Sequence, residues 1–252
     1  MKWHGLLVSV RSDAEAIEAI AGGATIIDVK EPLHGSLGCA SPDVIARVAG
    51  VVGQDRPWTM ACGELRDGVA MILEHLRRTL AVLPASAVPP AAVKIGLAGM
   101  ARVDWRLDVQ TLFSGLPLGP ERVIVAYADW ASAGAPTPEE VIQAAVSNGC
   151  ATLLIDTADK SAEGLLAAAH AGRVSGWVSL ARREGLQVVL AGRIAIDEIN
   201  AAVALRPDVV ALRSAVCSNG AFGSGRLGTV CGQLVRRAAT LCSSLGGLAA
   251  NG

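Results

Sequence analysis

Eight short, uninterrupted apolar runs, each followed by an alanine-rich helical stretch, constrain this chain more than any other feature of its sequence. They are Leu6–Val10, Thr25–Lys30, Trp58–Cys62, Ala92–Gly96, Arg122–Tyr127, Thr152–Asp156, Gln187–Ala191 and Val209–Leu212. A strand that is apolar on both faces must be covered on both faces, which a parallel sheet wrapped in helices provides. Eight β/α units in 252 residues predict an α/β fold, a single (β/α)8 TIM barrel occupying the whole chain as one domain. An open doubly wound sheet is the alternative, because strand number alone does not impose closure.

Punctuation supports this phasing. Ser12 with Glu15 reads as a capping box, Ser41-Pro42 as an N-cap followed by proline, and Thr137-Pro138-Glu139-Glu140 as both. Gly22-Gly23, Asn148-Gly149 and Gly185 read as stops before the next strand. The stretch from Pro84 to Pro90 reads as a loop within the alternation. It also interrupts the long uncharged run Thr79 to Val93, against a membrane-spanning helix there.

Hydrophobic residues at 52% and charged residues at 18% exclude global disorder. A net charge of -1 without a long basic run argues against nucleic acid or an anionic membrane as the main partner. The opening Met1-Lys2-Trp3-His4-Gly5 has no signal-peptide pattern. Six cysteines without C-x-x-C spacing read as reduced thiols, so a cytoplasmic location is expected.

In an α/β barrel the chemistry sits at the carboxyl ends of the strands. Asp28 and Lys30 end the second run, Lys94 lies in the fourth, and Asp156 ends the sixth with Lys160 four residues on. A period of two puts Asp28 and Lys30 on one face, with Val29 turned to the helix layer. Interior charges are costly unless paired or used. A lysine among other cations and partly desolvated loses its proton more readily and becomes a nucleophile for carbonyls. Each residue also has a plainer reading: Lys30 and Lys94 as solvated surface lysines, Lys160 as a loop or helix-start residue, Asp28 and Asp156 as braces for loops.

Phosphate has its own signal. Gly192 and Arg193 follow the seventh run, and Arg213 and Ser214 follow the eighth. Those loops often bind phosphate in barrels, glycine permitting close backbone approach and arginine offering a forked donor. A glycine turn with surface arginines is the alternative. The segment Gly223-Ser224-Gly225-Arg226-Leu227-Gly228 spells G-x-G-x-x-G, yet no strand leads directly into it and too little chain follows for a dinucleotide site. It reads instead as a loop over the barrel mouth or a connection to the last helix. His4, His34, His75 and His170 lack metal-ligand spacing.

Beyond these readings, the stretch Asp28-Val29-Lys30-Glu31-Pro32-Leu33-His34-Gly35-Ser36-Leu37-Gly38 resembles the (5-formylfuran-3-yl)methyl phosphate synthases. The resemblance resumes at Val93-Lys94-Ile95-Gly96-Leu97, Leu154-Ile155-Asp156-Thr157-Ala158, Leu190-Ala191-Gly192 and Leu212-Arg213-Ser214-Ala215-Val216-Cys217. It implies a TIM-barrel lyase that condenses two molecules of glyceraldehyde 3-phosphate into a furancarboxaldehyde phosphate, releasing phosphate. That furan serves biosynthesis of methanofuran-type one-carbon carriers. The resemblance makes Lys30 the Schiff-base lysine and Lys94 the proton acceptor, with Asp28, Asp156 and Lys160 completing the site. It implies no metal or organic cofactor and a triose phosphate as partner; a homo-oligomer is expected. Ser214 and Ala221-Phe222 depart from the family pattern, which has glycine and more polar residues there. Another Schiff-base aldolase acting on a phosphosugar, or a non-catalytic barrel that binds phosphorylated metabolites, are the alternatives.

Overall fold

In a computed structural model, which describes residues 3–117, 119–218 and 225–246, the eight apolar runs pair side by side into a closed parallel barrel. In chain order the elements are β1 (Gly5–Val10), α1 (Asp13–Ala21), β2 (Ile26–Val29), α2 (Pro42–Val52), β3 (Trp58–Glu64) and α3 (Val69–Ala81). There follow β4 (Ala92–Gly96), α4 (Trp105–Gly115), β5 (Glu121–Tyr127), the one-turn α5 (Trp130–Ala133), α6 (Pro138–Ser147), β6 (Thr152–Asp156) and α7 (Ala168–Arg183). The chain continues through β7 (Gln187–Leu190), α8 (Ile199–Ala204), β8 (Val209–Leu212), a short β9 (Cys217–Ser218) and β10 (Thr229–Val230), and α9 (Gly232–Leu241). Closure is made by β1 against β8, in the register Gly5↔Val209 to Val8↔Leu212. The open-sheet alternative is therefore set aside.

The apolar side chains divide into two layers as the pleat requires. Val123, Val125 and Tyr127 of β5 face the barrel interior, with Leu7, Ala92, Leu154 and Val189. Ile124 and Ala126 face outward, in the larger core shared with the helices. Val29 also lies in that outer core, so Asp28 faces inward. Trp3 closes the amino end of the barrel, its backbone N–H and C=O both bonded to the Gln187 side chain at 3.1 Å.

Two strand ends differ from the expected bounds in ways that matter for the site. β2 stops at Val29, so Lys30 stands just past the ladder while its N–H still bonds to the Val10 carbonyl at 3.1 Å. β3 runs beyond Cys62 to Glu64, with a register shift against β4 between Ala61 and Glu64 and Gly63 at φ 91°. Such an irregularity turns the following side chain to a new direction.

Ser41 and Thr137 cap α2 and α6, and Glu140 completes the box with Thr137. Ser12 caps α1, but the Glu15 carboxylate accepts from the Arg11 N–H rather than from Ser12. It is drawn instead into a buried ion pair with Arg213, described below. Gly22 is more than a stop signal. A side chain there would collide with Val235 and the Gly232 carbonyl of α9, which lies directly against α1. The helix α9 has no side-chain cap of its own; the remote Glu18 carboxylate accepts from its Gly232 N–H at 2.9 Å. Of the glycine-rich segment, Gly223 and Ser224, like Ala221 and Phe222, lie outside the described residues, and Gly225–Leu227 form one 3-10 turn leading into β10. Among the described residues no helix is long and apolar enough to cross a membrane.

Candidate active site

The carboxyl ends of β1, β2, β4, β6, β7 and β8 meet around two contiguous hollows. One is lined by Lys30, Asp156, Lys160, Gly192, Arg193, Arg213 and Ser214, the other by Asp28, Lys30, Lys94 and Asp156. All nine residues singled out from the sequence are thus brought to one cavity.

The three lysines are held differently. Lys94 forms a buried ion pair with Asp28, whose carboxylate also accepts from Ser9 Oγ at 2.9 Å and Thr59 Oγ1 at 2.8 Å. Burial works to raise the Asp28 carboxyl, but Lys94 and Lys30 outweigh it and hold it below the usual range. Lys160 is paired with Asp156 and also donates to the Thr157 carbonyl. Burial again opposes ionisation of Asp156, and Lys160 with Lys30 overcomes it. Lys30 has no such carboxylate contact; its amine reaches only the Ser36 carbonyl, at 3.5 Å, among the described residues. Burial brings the Lys30 amine down to about 8, Asp156 and Asp28 partly restoring the charged form and Lys160 and Lys94 opposing it.

Several residues that sequence reading passed over complete this arrangement. Ser9 and Thr59 brace Asp28, and Ser36 Oγ is shared between Asp156 Oδ2 at 3.1 Å and the Thr157 carbonyl at 3.2 Å. Asp129 accepts from the Ala158 and Asp159 N–H groups, pinning the loop that carries Lys160. Their signal in sequence is slight, since a lone serine or threonine inside an apolar run marks many unremarkable strands. Glu64 and Tyr127, at the ends of β3 and β5, were likewise not singled out. The Tyr127 hydroxyl donates to Glu64 Oε1 at 2.6 Å.

On the phosphate side, Gly192 (φ 110°) and Arg193 (φ 54°) are consecutive residues in positive-φ backbone. A Cβ on Gly192 would come within 3.0 Å of the Thr157 backbone nitrogen and 3.1 Å of Leu165 Cβ, so glycine is needed for space as well as conformation. The N–H groups of Gly192, Arg193 and Ile194 donate to no protein acceptor among the described residues, and all three residues line the cavity. The two arginines are placed otherwise than a phosphate fork requires. Arg193 Nη1 donates to the Ala162 carbonyl. Arg213 is buried, its Nη1 and Nη2 donating to both Glu15 oxygens and to the Ser9 and Gly228 carbonyls. Arg213 thereby joins β8 to β1 and α1. Among the described residues no group of three or more His, Cys, Asp or Glu converges as metal ligands would.

Comparison with known proteins identifies the family and the fold. The sequence profile of the 4-HFC-P synthase family matches residues 6–238. A (5-formylfuran-3-yl)methyl phosphate synthase of Archaeoglobus fulgidus is 33% identical over 219 residues, covering 84% of this chain and 90% of that protein. One of Methanopyrus kandleri is 33% identical over 238 residues, covering 93% and 97%. Among solved structures, phosphoribosyl anthranilate isomerase from Thermus thermophilus superposes with a TM-score of 0.63 at 13% identity, covering 96% of this chain and 99% of its own. 3-Hexulose-6-phosphate synthase from Salmonella typhimurium gives 0.59 at 14%, covering 96% and 99%. At such identities the structural likeness speaks for the barrel alone.

Proposed function

The chain belongs to the (5-formylfuran-3-yl)methyl phosphate synthase family, and from that premise we propose that it is a lyase joining two molecules of glyceraldehyde 3-phosphate into a furancarboxaldehyde phosphate through a Schiff base on Lys30. The observation that carries the reading is the unequal treatment of the three lysines: Lys94 and Lys160 are neutralised by aspartates, whereas Lys30 has no carboxylate partner among the described residues and is brought down to about 8. Only a neutral amine attacks a carbonyl.

The Lys30 amine adds to the substrate carbonyl and loses water, giving an iminium that acidifies the neighbouring C–H. Lys94 can accept that proton only once Asp28 has taken one from it, so the two act as one proton-sharing unit. Lys160 and Asp156 form a second such unit beside Lys30 and serve the oxygens that must be protonated. Substrate phosphate is received by the backbone N–H groups of Gly192, Arg193 and Ile194 rather than by the Arg213 guanidinium, which is committed to Glu15. The scheme uses no metal or organic cofactor. Its product would supply the furan of methanofuran-type carriers.

The test is to mix the protein with glyceraldehyde 3-phosphate and follow near-ultraviolet furan absorbance together with phosphate release. Both rising in equal amounts supports the synthase. A new aldol without absorbance would replace it by another Schiff-base aldolase, and binding without turnover by a metabolite-binding barrel. Lys30→Ala is expected to abolish borohydride trapping of substrate, and trapping that survives would remove Lys30 from its assigned role.

A further inference from the structure

Condensing two triose phosphates into a furan phosphate releases one phosphate and two molecules of water, so several C–H protons must be taken up and several departing oxygens protonated. The two lysine–aspartate units stand around the Schiff-base nitrogen. A further group capable of carrying protons lies on the opposite arc of the same mouth, where β3, β4 and β5 end.

The register shift in β3 brings Glu64 opposite Gly96, and Tyr127 stands opposite Asp156 on the other side. The Tyr127 hydroxyl spans Gly96 to reach Glu64 Oε1 at 2.6 Å, and Glu64 Oε2 accepts from the Ala98 N–H at 2.9 Å. Any side chain on Gly96 would run into both the Glu64 carboxyl and the Tyr127 hydroxyl. Two donors to one carboxylate, across a position open only to glycine, fix its orientation closely. The pair is tied to the lysine side of the mouth: Gly63 N–H bonds to the Leu37 carbonyl at 2.9 Å, and the adjacent Ser36 carbonyl holds the Lys30 amine. Glu64 is partly exposed and Tyr127 fully buried, and both stand outside the lining of the two hollows.

We propose that Glu64 is a further catalytic acid–base residue of this site, with Tyr127 its positioning residue, and that it removes water from the six-carbon adduct; this rests on the synthase reading above. The Glu64 carboxylate takes the C–H proton next to the hydroxyl-bearing carbon. That electron pair forms the C=C bond as the C–O bond breaks. The carboxylic acid so formed hands the same proton to the departing hydroxide, which leaves as water, and Glu64 is a carboxylate again. Burial pushes the Glu64 carboxyl upward, with the Tyr127 and Ala98 hydrogen bonds restraining the rise, and a raised carboxyl is the stronger base.

The experiment compares the wild-type chain with Glu64→Gln and Tyr127→Phe, each given glyceraldehyde 3-phosphate. Furan absorbance, borohydride trapping on Lys30 and the masses of six-carbon products are followed together. Both variants are expected to keep trapping and KM, while Glu64→Gln forms furan roughly 10²-fold more slowly. A six-carbon phosphate heavier than the furan product by one or two waters should accumulate. Because the tyrosine hydrogen bond favours the carboxylate, Tyr127→Phe should move the acid limb of kcat to higher pH, and Glu64→Gln should lose that limb. Wild-type furan rates in both variants would overturn the proposal and leave the synthase reading standing. Loss of trapping in a Glu64→Gln protein with wild-type circular dichroism would also overturn it, by placing Glu64 before the dehydration. A wild-type enzyme that traps substrate but makes no furan would overturn the synthase reading, and this proposal with it.

Discussion

Lys30 stands one residue past the end of β2, in a cavity where two carboxylates are already spoken for by Lys94 and Lys160. Its amine is held near 8 by burial first, with Asp156 and Lys160 pulling in opposite directions. The neutral form is the nucleophile, so Schiff-base formation should rise with pH through about 8 and fall about tenfold per unit below it. The initial rate of borohydride trapping against pH measures this directly. Lys160→Met removes a positive charge and frees Asp156 to face Lys30. Both changes favour the Lys30 ammonium, so the trapping limb should move to higher pH. A limb that stays in place would mean that Lys160 does not tune Lys30. At this scale the sequence was informative about the charged residues, because a lysine or aspartate inside an apolar run is conspicuous. Ser9, Thr59, Ser36 and Tyr127 were not, because their role depends on a partner in another strand.

At the scale of elements, the ion pair of Glu15 in α1 with Arg213 after β8 joins the first β/α unit to the last. Both side chains are buried, so the pair survives only because its members meet. Glu15→Gln should remove the buried Glu15 charge from the Arg213 guanidinium and cost about 3–5 kcal/mol, read as a lowered urea midpoint at unchanged slope. Local spacing alone reads the same residues as a capping box and a phosphate fork. What overrode them was closure of the barrel, which sets residues 198 positions apart in contact. Gly22 teaches the same lesson, since its need for a bare Cα comes from Val235 in α9 and not from its own helix end.

For the whole molecule, the barrel has a carboxyl end that carries the candidate site and an amino end closed by packing. Trp3 seals the latter, in the same interior cluster as Leu7, Leu154 and Val189. Trp3 also lines the hollow that holds Asp28 and Lys94, and Trp3→Ala should cost about 3–5 kcal/mol in thermal or denaturant unfolding. A loss of turnover in the folded fraction would show that the floor of the barrel supports the site. The architecture itself was legible in sequence, because buried parallel strands write themselves as continuous apolar runs and caps as short local motifs. The convergence of Asp28, Lys30, Lys94, Asp156 and Lys160 was legible too, since strand period and strand-end position follow from the chain alone. Which lysine is left unpaired, why Arg213 turns to Glu15, and how Glu64 comes to lie over Gly96 beside Tyr127 were decided only by the tertiary structure. Those outcomes depend on register between strands and on distances across a closed ring, and neither is a property of any local stretch of sequence.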